Sequence, residues 1–254
     1  MEQTAHEPDW EFHFRSVDSK PGSIAVDLGL AKVAPLAHQP NLLKVSIQMT
    51  NPRPDGLSSL QETILLQNIE DDLEDALGQK CGATYAGRLT CGGHRKVYFY
   101  LGEPNGYAEH VQEVMQQYNS HAYTLKLIPD KDWNRYFNFL YPEPEQLQSI
   151  QNRKVVEELE SNGDDLSKAR QVDHWIYFKT EADRAAFLQS IAKENYSLVT
   201  SDYLASSEDY PHRLHISRTD KVDHQSIDKA VMYLRRLAQR HNGDYDGWET
   251  SIEV

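Results

Sequence analysis

Cysteine is nearly absent from this sequence: Cys81 and Cys91 are the only two in 254 residues. An extended chain between them, at ~3.3 Å per residue, would hold them roughly 33 Å apart, which excludes a mutual disulfide or a shared metal. Long apolar runs are also missing, none approaching the ~18 residues that cross a bilayer. The opening MEQTAHEPDW has no basic and apolar leader, so a cytoplasmic protein is expected. Basic charge is in deficit. The formal net charge is −13, and it is shared: residues 1–142 carry 18 Asp plus Glu against 12 Lys plus Arg, and residues 143–254 carry 21 against 14, or −6 and −7. Phosphate backbones are gripped by Lys and Arg, so this balance disfavours nucleic acid and suits a basic protein partner. It also serves solubility alone. Gly-x-Ser-x-Gly, Gly-x-Gly-x-x-Gly and the phosphate-binding P-loop are absent, and no enzyme is expected.

What is present is hydrophobic periodicity. WEFHFR (10–15) and SIAVDL (23–28) alternate as half-buried strands about a Lys20-Pro21-Gly22 turn, and LLKVSIQM repeats the pattern up to the break at NPRPDG. Ser59 and Glu62 have capping-box spacing before a helical stripe of Leu65, Ile69, Leu73, Ala76 and Leu77 that stops at Gly78. Two strands around CGG, a short helix with Val111, Val114 and Met115 inward, and the strand YTLKLI follow. After Pro142 and Pro144, a helix carrying Leu147, Ile150, Val155 and Leu159 runs to Asn162-Gly163. The order strand, helix, strand, strand, helix, strand then returns, its second helix at 224–241 being the cleanest in the chain.

Two βαββαβ halves predict an α+β protein: two ferredoxin-like sandwiches in tandem, residues 1–142 and 143–254, the first with an extra N-terminal β-hairpin. Each sheet then has one face under its helices and another that needs water, a neighbour or a partner.

Candidate sites thin out on inspection. His212 and His215 sit three apart on a predicted strand, which turns them to opposite faces and rules out a shared zinc. His174, on the covered face with Val172, Ile176 and Phe178, reads as a core histidine with a hydrogen-bond partner. The acidic run Glu70, Asp71, Asp72, Glu74 and Asp75 reads as a solvated helix face. DYDGWE has part of a calcium loop but lacks its further ligands. No metal and no cofactor are expected. Surface is what remains. On the last strand Asp246, Trp248, Thr250 and Ile252 share one face by simple alternation, with Tyr245, Gly247, Glu249 and Ser251 on the other, and Gly247 suggests a bulge that re-aims the indole. Trp175 and Tyr177 lie opposite His174 on their strand. Trp175, Tyr177, Tyr245, Asp246 and Trp248 are therefore the candidate partner-binding residues, an aromatic patch with acids fit to accept arginine. The other reading seats these aromatics against the helix at 145–161 or the N-terminal half.

ELESNGDDLSKARQVDHWIYFKTEADRAAF with the terminal GDYDGWET resembles the regulator of ribonuclease E activity B family, and Tyr245, Asp246, Gly247 and Trp248 are the most specific part of the match. TNPRPDGLSSLQE, YAGRLTCGGHRKVYFY and DWNRYFNFLYPEPEQ resemble the domain of unknown function 695 family, which brings no activity with it. The first resemblance implies a cytoplasmic protein that binds ribonuclease E and restrains endonucleolytic RNA decay by protein contact. An RNA-stacking ferredoxin-like module, or an unrecognised hydrolase or ligand-binding protein, is the alternative.

Overall fold

The computed structural model describes residues 6–103, 105–207 and 209–254; the first five residues of the stretch read for a leader lie outside it. The chain divides into two compact units, one ending at Gln146 and the other beginning at Leu147. The division falls inside a helix, a few residues past the expected boundary.

In the N-terminal unit the hairpin β1 (Trp10–Val17) and β2 (Lys20–Asp27) precedes β3 (Asn41–Gln48), α1 (Leu60–Cys81), β4 (Thr84–Cys91), β5 (His94–Leu101), α2 (Tyr107–Met115) and β6 (Tyr123–Pro129). Its six-stranded antiparallel sheet has the order β1-β2-β4-β5-β3-β6. Without the hairpin this is the strand order of a ferredoxin-like βαββαβ unit. Ser59 caps α1 by accepting from the Glu62 amide, and Gly82 ends it in the left-handed region at φ +59°. Gly78 is thus interior to the helix, not its stop. Glu62 does not complete the box; its carboxylate turns to the amides of Thr50 and Asn51, to the Thr50 hydroxyl and to His121.

Both faces of this sheet are closed by the unit itself. One core lies between the sheet and the two helices, built on Leu43, Val45, Ile47, Leu66, Leu73 and Phe99. A second lies on the other face, where residues 28–36 and the aromatic segment after β6 fold over Ile24, Val26, Tyr98 and Tyr100. Trp133, fully buried and at φ +52°, stacks on Tyr100 with centroids 3.8 Å apart and donates its indole N–H to the Gln39 carbonyl at 3.0 Å. Tyr136 donates to the Asp27 carbonyl at 2.7 Å. The five aromatics between Trp133 and Tyr141 thus form a lid over the second sheet face.

The C-terminal unit comprises most of α3 (Pro144–Ser161), then β7 (Arg170–Phe178), α4 (Glu181–Ser190), β8 (Ser197–Tyr203), β9 (His212–Asp220), α5 (His224–Arg240) and β10 (Gly243–Thr250). Its sheet order, β10-β7-β9-β8 and all antiparallel, is again ferredoxin-like. Val172, Ile176, Phe178, Phe187, Leu214, Val231 and Leu234 build its core, with Val156 and Leu159 of α3 joining it. On α3 it is Val156 that turns inward, while the expected Val155 is exposed.

Candidate functional site

The C-terminal sheet has one hydrophobic core, on its helix face, among the described residues. Its other face carries half-buried polar and aromatic side chains. On β7, Asp173, Trp175 and Tyr177 alternate with the fully buried Val172, His174, Ile176 and Phe178, as a period of two requires. On β9, His215 stands opposite Trp175 and Arg213 opposite Tyr177, while His212 stands opposite Phe178; the two histidines face opposite sides of the sheet. The His215 ring stacks on the Trp175 indole with centroids 4.4 Å apart and planes 18° from parallel. His215 Nε2 donates to Asp173 Oδ1 at 2.7 Å, and Gln171 donates to the same carboxylate at 2.9 Å. This chain of contacts fixes the indole from one side. Beside it, Arg213 donates to Asp202 at 2.7 Å, and that bond holds the Asp202 carboxyl below the usual range.

The last strand does not follow simple alternation. Tyr245 pairs with Ile176 and Gly247 with Trp175, so Asp246 is an extra residue, a bulge. Beyond it, faces are exchanged. Trp248 comes to lie opposite the buried His174, on the helix face, whereas Asp244, Gly247 and Glu249 stand on the open face opposite Tyr177, Trp175 and Asp173. Trp248 packs against the core and donates its indole N–H to Asn152 of α3 at 3.0 Å. Asn152 in turn donates to Asp228 of α5 at 2.9 Å. Tyr245 is only 3% exposed, its hydroxyl 2.8 Å from His174 Nδ1. His174 itself is pushed down to about 3, burial being the main cause, with the Arg218 charge adding to it. It is a neutral core histidine with a partner, as its place in the alternation indicates.

The five candidate residues are therefore not one patch. Trp175 and Tyr177 share the open face and Asp246 is exposed at the bulge, but Tyr245 and Trp248 are turned inward, Trp248 onto the chain's own helix. Glycine before tryptophan was a true signal of the bulge; which residue is extra is set by pairing with β7, which no local spacing reveals. His215, Arg213 and Glu249 complete the face. They escape notice in sequence because nothing local ties them to Trp175.

Other ionisable groups are structural. Glu70 is buried, accepting from the Tyr85 hydroxyl at 3.0 Å, from Arg88 at 2.9 Å and from Arg95, so it leaves the solvated acidic face expected of it. Burial, together with crowding by the neighbouring acids, raises the carboxyls of Asp71 and Glu74. Ser120, His121 and Glu62 form a chain of hydrogen bonds of 3.0 and 2.8 Å, a serine–histidine–acid order invisible to spacing. His121 is 4% exposed, however, and both oxygens of Glu62 are also engaged by Thr50 and Asn51. Cys81 and Cys91 are free thiols. Among the described residues no group of three metal-ligating side chains is assembled, and no helix is long and apolar enough to cross a membrane.

Comparison with known proteins follows the same division. The family of unknown function DUF695 matches residues 8–141, and the family described as regulator of ribonuclease activity B matches residues 149–250. No curated protein matches significantly. Among solved structures, a putative glycine cleavage system transcriptional repressor aligns over 83% of this chain and 98% of its own, at 10% identity and a TM-score of 0.24. An unknown protein from Galdieria sulphuraria aligns over 84% and 99%, at 12% identity and a TM-score of 0.21. Scores this low carry no argument about function. The C-terminal unit matches the family described as regulator of ribonuclease activity B, and the chain belongs to the family of unknown function DUF695.

Proposed function

We propose that this protein is a non-catalytic, cytoplasmic regulator that binds a ribonuclease and restrains endonucleolytic RNA decay by contact with the enzyme. Ribonuclease E is the partner to test first. One observation carries the reading: in the very unit that matches a ribonuclease regulator, a sheet face bearing Trp175, Tyr177 and a row of carboxylates has no second core upon it among the described residues. Interfaces draw their energy from a few aromatic and arginine anchors within a water-excluding rim, and an acidic rim around aromatics fits a basic partner. The same carboxylates repel phosphates, which speaks against RNA as the direct ligand.

Titration calorimetry of the full chain with ribonuclease E tests this. Trp175→Ala should weaken binding by about ten-fold or more, and added salt should weaken it further. Absence of any complex at low salt, or a complex that Trp175→Ala leaves intact, would remove this face from the account.

A further inference from the structure

We infer that the notch over Gly247 seats an arginine side chain of the protein partner. This deepens the reading just given and rests on it.

The notch is a consequence of the bulge. Trp175 has His215 as its neighbour on one side of the sheet and Gly247 on the other. The His215 ring fills the first flank. On the second flank there is no side chain, and a Cβ placed on Gly247 would meet nothing within 4 Å. One flank of a rigidly held indole thus borders open space at the surface of the sheet.

Charge decides what fits there. Glu249 stands directly across from Asp173, and Asp244 across from Tyr177, with Asp246 exposed between them. Two carboxylates facing each other across a strand pair repel when no cation lies between them. Asp173 is engaged by His215 and Gln171, but among the described residues the carboxylates of Asp244, Asp246 and Glu249 have no ion pair or hydrogen bond. Arg213, on the same face of β9, is committed to Asp202. The notch is therefore an aromatic wall with uncompensated negative charge at its rim. A guanidinium satisfies both at once, its plane lying along the indole while its fork of N–H groups donates to Glu249. A lysine ammonium offers the charge without the plane and is the weaker occupant.

The glycine makes the inference testable without harming the fold. Gly247 is not in the left-handed region, and its Cβ position is empty. Gly247→Ala and Gly247→Val should leave the thermal unfolding midpoint unchanged while filling the notch. In ¹H–¹⁵N spectra of the full chain, the capped peptide acetyl-Gly-Arg-Gly-amide should shift the Trp175 indole and the Gly247 and Glu249 amides, saturating in the millimolar range. The lysine peptide should act more weakly. Gly247→Val should abolish the response, and Glu249→Gln should weaken it several-fold. Unmoved resonances with the arginine peptide, or an equal response from Gly247→Val, overturn the inference. Ribonuclease E separates the two proposals. If the arginine peptide binds and the enzyme does not, the notch stands and the client is wrong; if the enzyme binds Gly247→Val as well as the native chain, the client stands and the notch is wrong.

Discussion

The two sheets of this protein share a strand order and differ in what lies on their second face. In the N-terminal unit, residues 28–36 and the five aromatics from Trp133 to Tyr141 close that face and bury Trp133 completely. In the C-terminal unit the described residues form no second core of this kind, and Glu253 and Lys168 tie the stretch after β10 to residues 164–170. The shared scaffold thus says little about binding. Chain outside the βαββαβ frame decides whether a sheet face becomes interior, as residues 28–36 and the aromatic segment after β6 do in the N-terminal unit.

The strongest challenge to this contrast is a pair of identical truncations. Trp133→Ala should destabilise the N-terminal unit by about 3–5 kcal/mol, the usual cost of deleting a buried aromatic, whereas Trp175→Ala should cost about 1 kcal/mol or less. Urea unfolding followed by amide exchange in each unit reads both, and equal losses would mean the two faces are not different in kind. Next in size is the acid response of the C-terminal core. Because burial holds His174 at about 3 when folded, the unfolded chain binds a proton that the folded chain does not as pH falls below 6.5. Stability should drop by roughly 1.4 kcal/mol per pH unit from there towards 3, and be fully present at neutral pH. His174→Phe should remove that slope between pH 6.5 and 5 in β7 and β10 amide exchange; an unchanged slope would show that the histidine is not the source. The smallest effect belongs to Trp248→Phe, which keeps the ring and loses the bond to Asn152, at about 1 kcal/mol. A larger loss of partner affinity than of stability would return Trp248 to the interface.

Much of this architecture is legible in the sequence, because period-two and period-3.6 patterns report burial directly. The alternation of β7 places Val172, His174, Ile176 and Phe178 inside, to which the structure adds Arg170 at the strand's start, and the helical period of α5 matches its buried stripe. Where the reading slipped, tertiary contacts had overridden local pattern. Leu66 takes the interior place expected of Leu65, and Glu70 is drawn from the acidic run by Arg88 and Arg95, which come from different strands. The aromatic lid is not legible as a cover, since its fit depends on Tyr100 and Gln39, distant in sequence. The placement of Trp175 and Tyr177 on the open face follows from alternation alone. Simple parity puts Trp248 on the face of Asp246, whereas the bulge turns it onto α3, the place given by the alternative reading, because one extra residue exchanges every side that follows it.

That parity makes Asp246 unusual among surface positions. Replacing its side chain changes one exposed group, and deleting it would let the last strand pair in plain alternation, Tyr245 opposite Ile176, Gly247 opposite Trp175 and Trp248 still opposite His174, so the bulge would vanish while the indole kept its place on the core. A residue added after Gly247 would instead turn Trp248 to the open face and bring Glu249 onto the core, so this strand should tolerate substitution or loss of Asp246 better than gain of a residue beyond it.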